Sequence, residues 1–229
     1  MRPGDHYFKM DFGNIERKYL VYIPQGYAGG NALPVVVMIH GAGGTSEWTM
    51  HETGWDDKAD KEGFLVVFPD GVPVNPSKPP KFMTNPQLWN DGSLRSASFG
   101  RDIDEMGFLV AMLDDLEKRF TIDRKRIYFT GFSNGASMTF RAGAELSQRV
   151  AAIAPVAGHC WLKDPKPDRP IPTVFMVGDQ DPLVPFEGGD FRSPWLRRIE
   201  RQPPVLTTID KWAAAIGCAG DFHPMEHDT

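Results

Sequence analysis

Two short runs of consecutive apolar residues constrain the fold more than any other feature of this chain. Residues 35–39 read Val-Val-Val-Met-Ile, and residues 64–68 read Phe-Leu-Val-Val-Phe. A strand with no polar residues between its apolar ones is typical of a parallel sheet whose two faces are both covered. Further strands are predicted at residues 18–23, 126–130, 150–156 and 173–177. The sequence therefore predicts a buried central sheet.

Helical patterns lie between these strands. Apolar side chains recur at three- and four-residue steps over residues 103–120, with Asp102 and Asp104 near the start, where the helix dipole favours anions. Residues 47–62 and 206–216 are also predicted to be helical. Because strand and helix alternate from residue 35 onward, the sequence predicts an α/β fold with a parallel, doubly wound sheet. Ligands of such sheets bind at the C-terminal ends of the strands.

Composition limits the class of protein. The chain has 229 residues, of which 41% are hydrophobic and 24% charged, so residues 1–229 can form a single α/β domain with a sizeable core. A net charge of −5 without a basic run argues against nucleic acid as a partner. The apolar runs are too short to span a membrane, and the spacing of Cys160 and Cys218 suits no metal site. These two cysteines are either separate thiols or one disulfide.

Residues 71–101 show no periodicity, and a loop of that length in a compact domain is usually functional or disordered. Its aromatic residues favour an ordered flap over the site. Trp89 in this loop and Trp161 both follow strand ends. They are either packing residues or the rim of an aromatic acyl pocket. Residues 219–229 are expected to form a tail.

The strongest chemical motif is the sequence Gly-Phe-Ser-Asn-Gly at residues 131–135, between a predicted strand and a predicted helix. This is the setting of a nucleophile elbow, in which Ser133 takes a strained backbone conformation and the glycines permit close packing. The N-terminus of the helix would favour developing negative charge. The alternative is an ordinary connection between strand and helix with an incidental serine.

A second motif, His-Gly-Ala-Gly-Gly, follows the first buried strand at residues 40–44. Such a glycine-rich bend lets backbone N–H groups point at an oxyanion. We expect Ala42 N–H to be one donor, with Gly43 as the alternative, and Asn134 N–H to be the other. A phosphate loop is disfavoured because no G-K-[ST] or G-x-G-x-x-G pattern is present. His40 is expected to brace the loop.

A third motif follows the strand predicted at residues 173–177, where Asp179 and Asp181 lie in a turn. An acid at this position would orient a catalytic imidazole. The order along the chain, serine and then aspartate, is that of the α/β hydrolases. The alternative is that both aspartates are simply turn formers.

Together these motifs resemble the α/β-hydrolase esterases of the polyhydroxybutyrate depolymerase and feruloyl esterase type. The resemblance is carried by residues 17–24, 39–45, 89–90, 104–108, 122–135 and 181–185. The family pattern at the acid is His-Gly-x-x-Asp-x-x-Val-Pro-Tyr, which places the acid on Asp181. Val177 and Phe186 replace the histidine and tyrosine of that pattern.

The resemblance implies a serine esterase without metal or other cofactor. Its substrates would be hydroxycinnamoyl (feruloyl) or acetyl esters of plant polysaccharides, or polyhydroxyalkanoate esters, and its location would be secreted or periplasmic. No segment matches the one that carries the family's histidine. We therefore expect the chain to end before that histidine and to lack the last strand and helix. His223 and His227 are the only histidines after Asp181.

Two other functions remain open at this point. A serine peptidase of the same fold would use the same motifs, although such peptidases often carry an additional large domain. A polymer-binding module without catalysis would account for the unmatched histidine and for the tryptophan-bearing loops.

Overall fold

The fold is described from a computed structural model, over residues 1–93, 102–192 and 199–218. The main sheet has six strands: β1 (Gly4–Phe12), β2 (Ile15–Ile23), β3 (Leu33–Ile39), β4 (Leu65–Pro69), β7 (Ile122–Phe132) and β8 (Ala152–Val156). Their order across the sheet is β1-β2-β4-β3-β7-β8. The pairs β1–β2 and β2–β4 are antiparallel, whereas β4, β3, β7 and β8 are parallel.

The predicted burial of both sheet faces is confirmed. Val35, Val37 and Ile39 of β3 belong to one apolar cluster, and Val36 and Met38 belong to the other. Successive side chains of a strand point to opposite faces, so an unbroken apolar run supplies both clusters. The expectation of a mostly parallel sheet with helices on both faces is correct.

Five helices cover the sheet within the described residues. They are α1 (Ser46–Thr53), α2 (Trp55–Glu62), α3 (Glu105–Arg119), α4 (Asn134–Glu145) and α5 (Val205–Ala215). Residues of α1 and α2 pack into one cluster, and residues of α3, α4 and α5 pack into the other. The single helix expected over residues 47–62 is two helices, because Gly54 takes a left-handed conformation with φ of 60° and ends α1.

The strand predicted at residues 173–177 forms only partly. Thr173 and Met176 make parallel bridges to β8, and Val174 N–H donates to Ile153 O at 3.0 Å. Pro155 of β8 has no N–H, so the ladder lacks one bond in its middle. Val174 and Met176 are 62% and 47% exposed.

Two hairpins were not predicted. One joins the short strands β5 (Val72–Pro73) and β6 (Gln87–Leu88) inside the long loop, and the other joins β9 (Gly189–Arg192) and β10 (Ile199–Gln202). The final part of the expected flap, residues 94–101, and the tail expected at residues 219–229 lie outside the described residues. No helix in the described part of the chain is long and apolar enough to cross a membrane.

A buried ion pair connects the outer antiparallel strands to the helical layer. Arg17 Nη2 of β2 lies 2.7 Å from Glu105 Oε2 at the start of α3, and the two side chains are 2% and 0% exposed. The guanidinium also lies 3.7 Å from the centroid of the Phe108 ring. Burial raises the pKa of Glu105, and the charge of Arg17 opposes that rise.

Replacing Arg17 with methionine is expected to lower the free energy of unfolding by about 3–5 kcal/mol at pH 8, because it leaves a buried carboxylate without its counter-charge. Without Arg17 the pKa of Glu105 rises further, so the folded state binds a proton more tightly than the unfolded state. The loss should therefore be smaller near pH 5 than at pH 8. Urea unfolding at both pH values measures this. Lys58→Met, which breaks an exposed pair with Glu62, is the control with little expected effect.

The two cysteines are thiols in this structure and do not form a disulfide with each other. Cys160 is buried, and burial raises the pKa of its thiol to about 11. Cys218 is exposed. Burial and a raised pKa both slow the reaction of a thiol with disulfide reagents.

With Ellman's reagent we expect one fast equivalent from Cys218 and a second equivalent from Cys160 at least about 100-fold more slowly. Cys218→Ser should remove the fast phase and leave the slow one. Recovery of no thiol from unreduced, unfolded protein would show instead that the cysteines are oxidised.

Candidate active site

Ser133 lies in the sharp turn from β7 to α4 and has a positive φ of 56° with ψ of −116°. Residues other than glycine rarely adopt such a conformation, and it is stored strain where it occurs. The Ser133 N–H donates to Val156 O at 3.0 Å, which ties the turn to the end of β8. The predicted strand–serine–helix arrangement is therefore present, with the serine at the C-terminal edge of the parallel sheet.

Glycines permit this turn. A methyl group added at Gly135 would overlap Ile39 O and lie 2.6 Å from His40 O. One at Gly131 would lie 2.6 Å from the carbonyl carbon of Gly135, and one at Gly158 would lie 2.6 Å from Ser133 O. The elbow and the end of β3 thus approach each other more closely than any larger residue allows.

The glycine-rich loop lies beside the serine. A methyl group added at Gly41 would be 3.4 Å from Ser133 Cβ. Gly43 N–H donates to Gln87 O at 2.8 Å, so the alternative donor is occupied. Among the described residues nothing accepts from Ala42 N–H, and Asn134 N–H lies in the first turn of α4, where no intrahelical acceptor exists. These are the two donors that the sequence predicted for an oxyanion.

His40 braces the loop, as predicted. Gly71 N–H donates to its Nε2 at 2.9 Å, so Nδ1 carries the proton and donates to Gly41 O at 2.7 Å. Burial lowers the pKa of His40, which keeps the ring neutral. With both nitrogens occupied, this imidazole supports the loop and does not contact the serine.

Trp89 is 2% exposed, and its indole Nε1–H donates to His40 O at 3.0 Å. A side chain so buried has no surface to offer a substrate, so the geometry favours packing over the expected role in substrate binding. Trp161 is half-buried, with its ring centroid 5.1 Å from that of His159. Its proposed contact with substrate remains a prediction.

Asp181 lies in the turn after residue 177 and is half-buried. Its Oδ1 accepts from Leu183 N–H at 2.8 Å and from Val184 N–H at 3.0 Å. These bonds fix the carboxylate and leave Oδ2 for another donor. Asp179 is exposed. The geometry thus favours Asp181 over Asp179 as the acid.

A buried histidine just past β8 supports this turn, in one of the two roles, surface or structural, that its position in the sequence predicts. His159 is 2% exposed, with Nδ1 3.0 Å from Thr208 Oγ1 and Nε2 3.2 Å from Gln202 Oε1. Gln202 Nε2 in turn donates to Leu183 O at 3.0 Å. The network links the end of β8, helix α5 and the acid turn. In the sequence, the only indication of this network is a histidine just past a predicted strand.

Neither Ser133 nor Asp181 pairs with a histidine within residues 1–93, 102–192 and 199–218. His6 bonds Arg2 O, and His51 lies exposed in the last turn of α1. His223 and His227 lie outside the described residues. The same described part holds no cluster of three His, Cys, Asp or Glu residues able to bind a metal.

An apolar cavity of about 520 Å³ lies beside the elbow, between α1 and the sheet. Gly41 and Phe132, which neighbour Ser133, line it together with Trp48 and Met176. Trp48 and Phe132 are 54% and 44% exposed. The cavity is thus an open, largely apolar surface next to the candidate nucleophile.

A parallel sheet with a strained serine at a strand-to-helix turn and a glycine loop beside it defines the α/β-hydrolase class. The comparison with known proteins agrees. The sequence profile of the phospholipase/carboxylesterase family (Abhydrolase_2) matches residues 28–202. The chain belongs to this family.

The chain is similar to several esterases. Feruloyl esterase B of Piromyces equi is 29% identical over 225 residues, which cover 90% of this chain and 36% of that protein. The bifunctional acetylxylan esterase/xylanase XynS20E of Neocallimastix patriciarum is 27% identical over 167 residues, 73% of this chain and 22% of that protein. The chain thus spans about a third of the length of the first relative and about a fifth of the second. These relatives confirm the resemblance noted in the motifs.

A solved thermostable esterase has the same fold. It superposes with a TM-score of 0.63 at 19% identity, over 93% of this chain and 52% of that one. At this identity the likeness concerns the fold alone.

Proposed function

We propose that this protein is a serine carboxylic-ester hydrolase that works through an acyl-enzyme. The observation that carries the proposal is the positive φ of Ser133 at the tip of the β7–α4 turn, directly beside Gly41. A solvent-accessible serine keeps a strained backbone conformation only where the surrounding packing holds it there. Such conformations cluster at functional sites.

In the proposed reaction Ser133 Oγ attacks the ester carbonyl carbon, and its proton passes to an imidazole base. The N–H groups of Ala42 and Asn134 stabilise the oxyanion of the tetrahedral intermediate. The bond to the alcohol breaks, the base returns the proton to the leaving alkoxide, and water then hydrolyses the acyl-serine. Asp181 orients the imidazole. The proposed base is a histidine that follows Asp181 in the chain, as in the order serine, aspartate, histidine.

The proposed substrates are hydroxycinnamoyl (feruloyl) or acetyl esters of plant polysaccharides, or polyhydroxyalkanoate esters. The names of the relatives support this range, since they include a feruloyl esterase, an acetylxylan esterase and a poly(3-hydroxyalkanoate) depolymerase. Plant polysaccharides lie outside the cells that degrade them, so we also propose a secreted or periplasmic location. The test is to measure turnover of methyl ferulate, p-nitrophenyl acetate, a hydroxybutyrate oligomer and peptide anilides. Comparing the three esters identifies the preferred acyl group, and comparing esters with anilides distinguishes an esterase from a peptidase.

A fluorophosphonate probe tests the nucleophile. Trypsin releases Ser133 in the peptide of residues 127–141, and mass spectrometry should locate the probe on that peptide. Labelling at Ser133 with faster turnover of esters than of anilides supports the proposal. Labelling with preference for anilides would make the protein a peptidase. Absence of labelling together with retention on insoluble polymer would make it a binding module.

A further inference from the structure

Residues 87–91 connect the two sides of the candidate oxyanion site. On one side Gln87 O accepts from Gly43 N–H at 2.8 Å, and Gln87 Nε2 donates to Gly44 O at 3.0 Å. Trp89 Nε1–H donates to His40 O on the same side. Three hydrogen bonds therefore hold this segment, which we call the clamp, against the glycine loop.

On the other side the clamp binds the first residue of α4. Trp89 N–H donates to Asn134 Oδ1 at 2.9 Å. Asn134 Nδ2 donates to Asp91 Oδ2 at 2.7 Å and to Trp89 O at 3.3 Å. Because a backbone N–H can only donate and a carboxylate can only accept, the orientation of the Asn134 carboxamide is fixed.

The clamp is a rigid connection because its side chains are shielded from water. Gln87, Trp89 and Asp91 are 5%, 2% and 1% exposed. Asp91 Oδ1 also accepts from Ser93 N–H at 3.0 Å, which holds its carboxylate in place. A charged acceptor makes the bond to Asn134 stronger than one between neutral groups.

We propose that the clamp sets the spacing between the two oxyanion donors, Ala42 N–H and Asn134 N–H, and that Asp91 is its positioning residue. Asp91 acts through the Asn134 carboxamide. This inference rests on the proposed function, because the two N–H groups act as oxyanion donors only if the protein hydrolyses esters. Oxyanion donors contribute most when they are fixed before the charge develops, so a small displacement weakens them.

A charge exchange tests the clamp. Asn134→Asp keeps the backbone donor but sets two carboxylates against each other, so kcat for p-nitrophenyl acetate should fall at least about 30-fold, with KM changed less than about 3-fold. Adding Asp91→Asn restores a donor–acceptor pair and should recover at least about 10-fold of that loss. Ser147→Ala is the control: it removes the part-buried hydrogen bond that Asp168 N–H donates to Ser147 Oγ, beyond the far end of α4 from the elbow. It should lower Tm without changing kcat. A double variant no better than Asn134→Asp would overturn the proposal.

Hydrogen exchange provides a readout that needs no substrate. In Asp91→Ala the amides of Gly43 and Trp89 should exchange at least about 10-fold faster than in the wild type, whereas the amides of β3 should not change. Unchanged exchange at Gly43 and Trp89 would overturn the clamp even in an active enzyme. Faster exchange in a protein that hydrolyses no ester would instead overturn only the proposed function.

Discussion

Replacing Ser133 with alanine is expected to lower kcat for ester hydrolysis by at least about 10³-fold and to abolish fluorophosphonate labelling. The oxyanion donors and the binding surface remain in that variant, so the residual rate should exceed that of the uncatalysed reaction. Alanine keeps a Cβ and therefore keeps the strained backbone at φ of 56°. The Tm should consequently stay within about 2 °C of the wild-type value.

Ser133→Gly separates strain from chemistry. It should be as inactive as the alanine variant but more stable, because glycine adopts a positive φ without the steric cost of about 1–2 kcal/mol. For a protein of this size that difference raises Tm by about 2–8 °C relative to Ser133→Ala. Differential scanning calorimetry compares the two variants. A glycine variant that melts below the alanine variant would contradict the stored strain, and an active alanine variant would contradict the assigned nucleophile.

Gly135→Ala is expected to destabilise the protein severely. The added methyl group would overlap Ile39 O and lie 2.6 Å from His40 O, and both atoms belong to backbone at the end of β3. Backbone cannot move aside as a flexible side chain can, so β3 and α4 must separate. We expect the free energy of unfolding to fall by more than about 3 kcal/mol, with a Tm at least about 6 °C lower.

Gly26→Ala is the matched control for this variant, because a methyl group there meets nothing within 4 Å and the backbone has no positive φ. Its Tm should equal or slightly exceed that of the wild type, since alanine restricts the unfolded chain more than glycine does. Urea unfolding of both variants gives the free energies directly. Equal stability of the two alanine variants would show that the close approach of α4 to β3 is not needed.

The central strands and the elbow could be predicted because their signals are local. Apolar runs in β3 and β4 report burial on two faces, and the glycines around Ser133 report a tight turn. The edge strand β1 was not predicted, although it has a local pattern of its own: Phe8, Met10 and Phe12 alternate with charged residues and are half-buried. Its alternation is that of a strand covered on one face only.

Contacts between distant parts of the chain could not be predicted. The pair of Arg17 and Glu105 joins residues 88 positions apart, and the bond from Trp89 to Asn134 spans 45. No pattern within either segment identifies its partner. For the same reason the sequence allows Trp89 a place at the rim of a substrate pocket, whereas in the structure its indole N–H donates to the carbonyl of His40.

The full use of the Asn134 side chain has a consequence for laboratory evolution. The carboxamide oxygen and both N–H hydrogens of Asn134 make hydrogen bonds. A substitution at this position that broadened the substrate range would therefore also lose hydrogen bonds. Trp48 and Phe132, in contrast, are each about half exposed and border the open cavity beside the elbow. A library that varies these two aromatic residues and keeps Asn134 should therefore contain more folded variants than a library of the same size that varies Asn134.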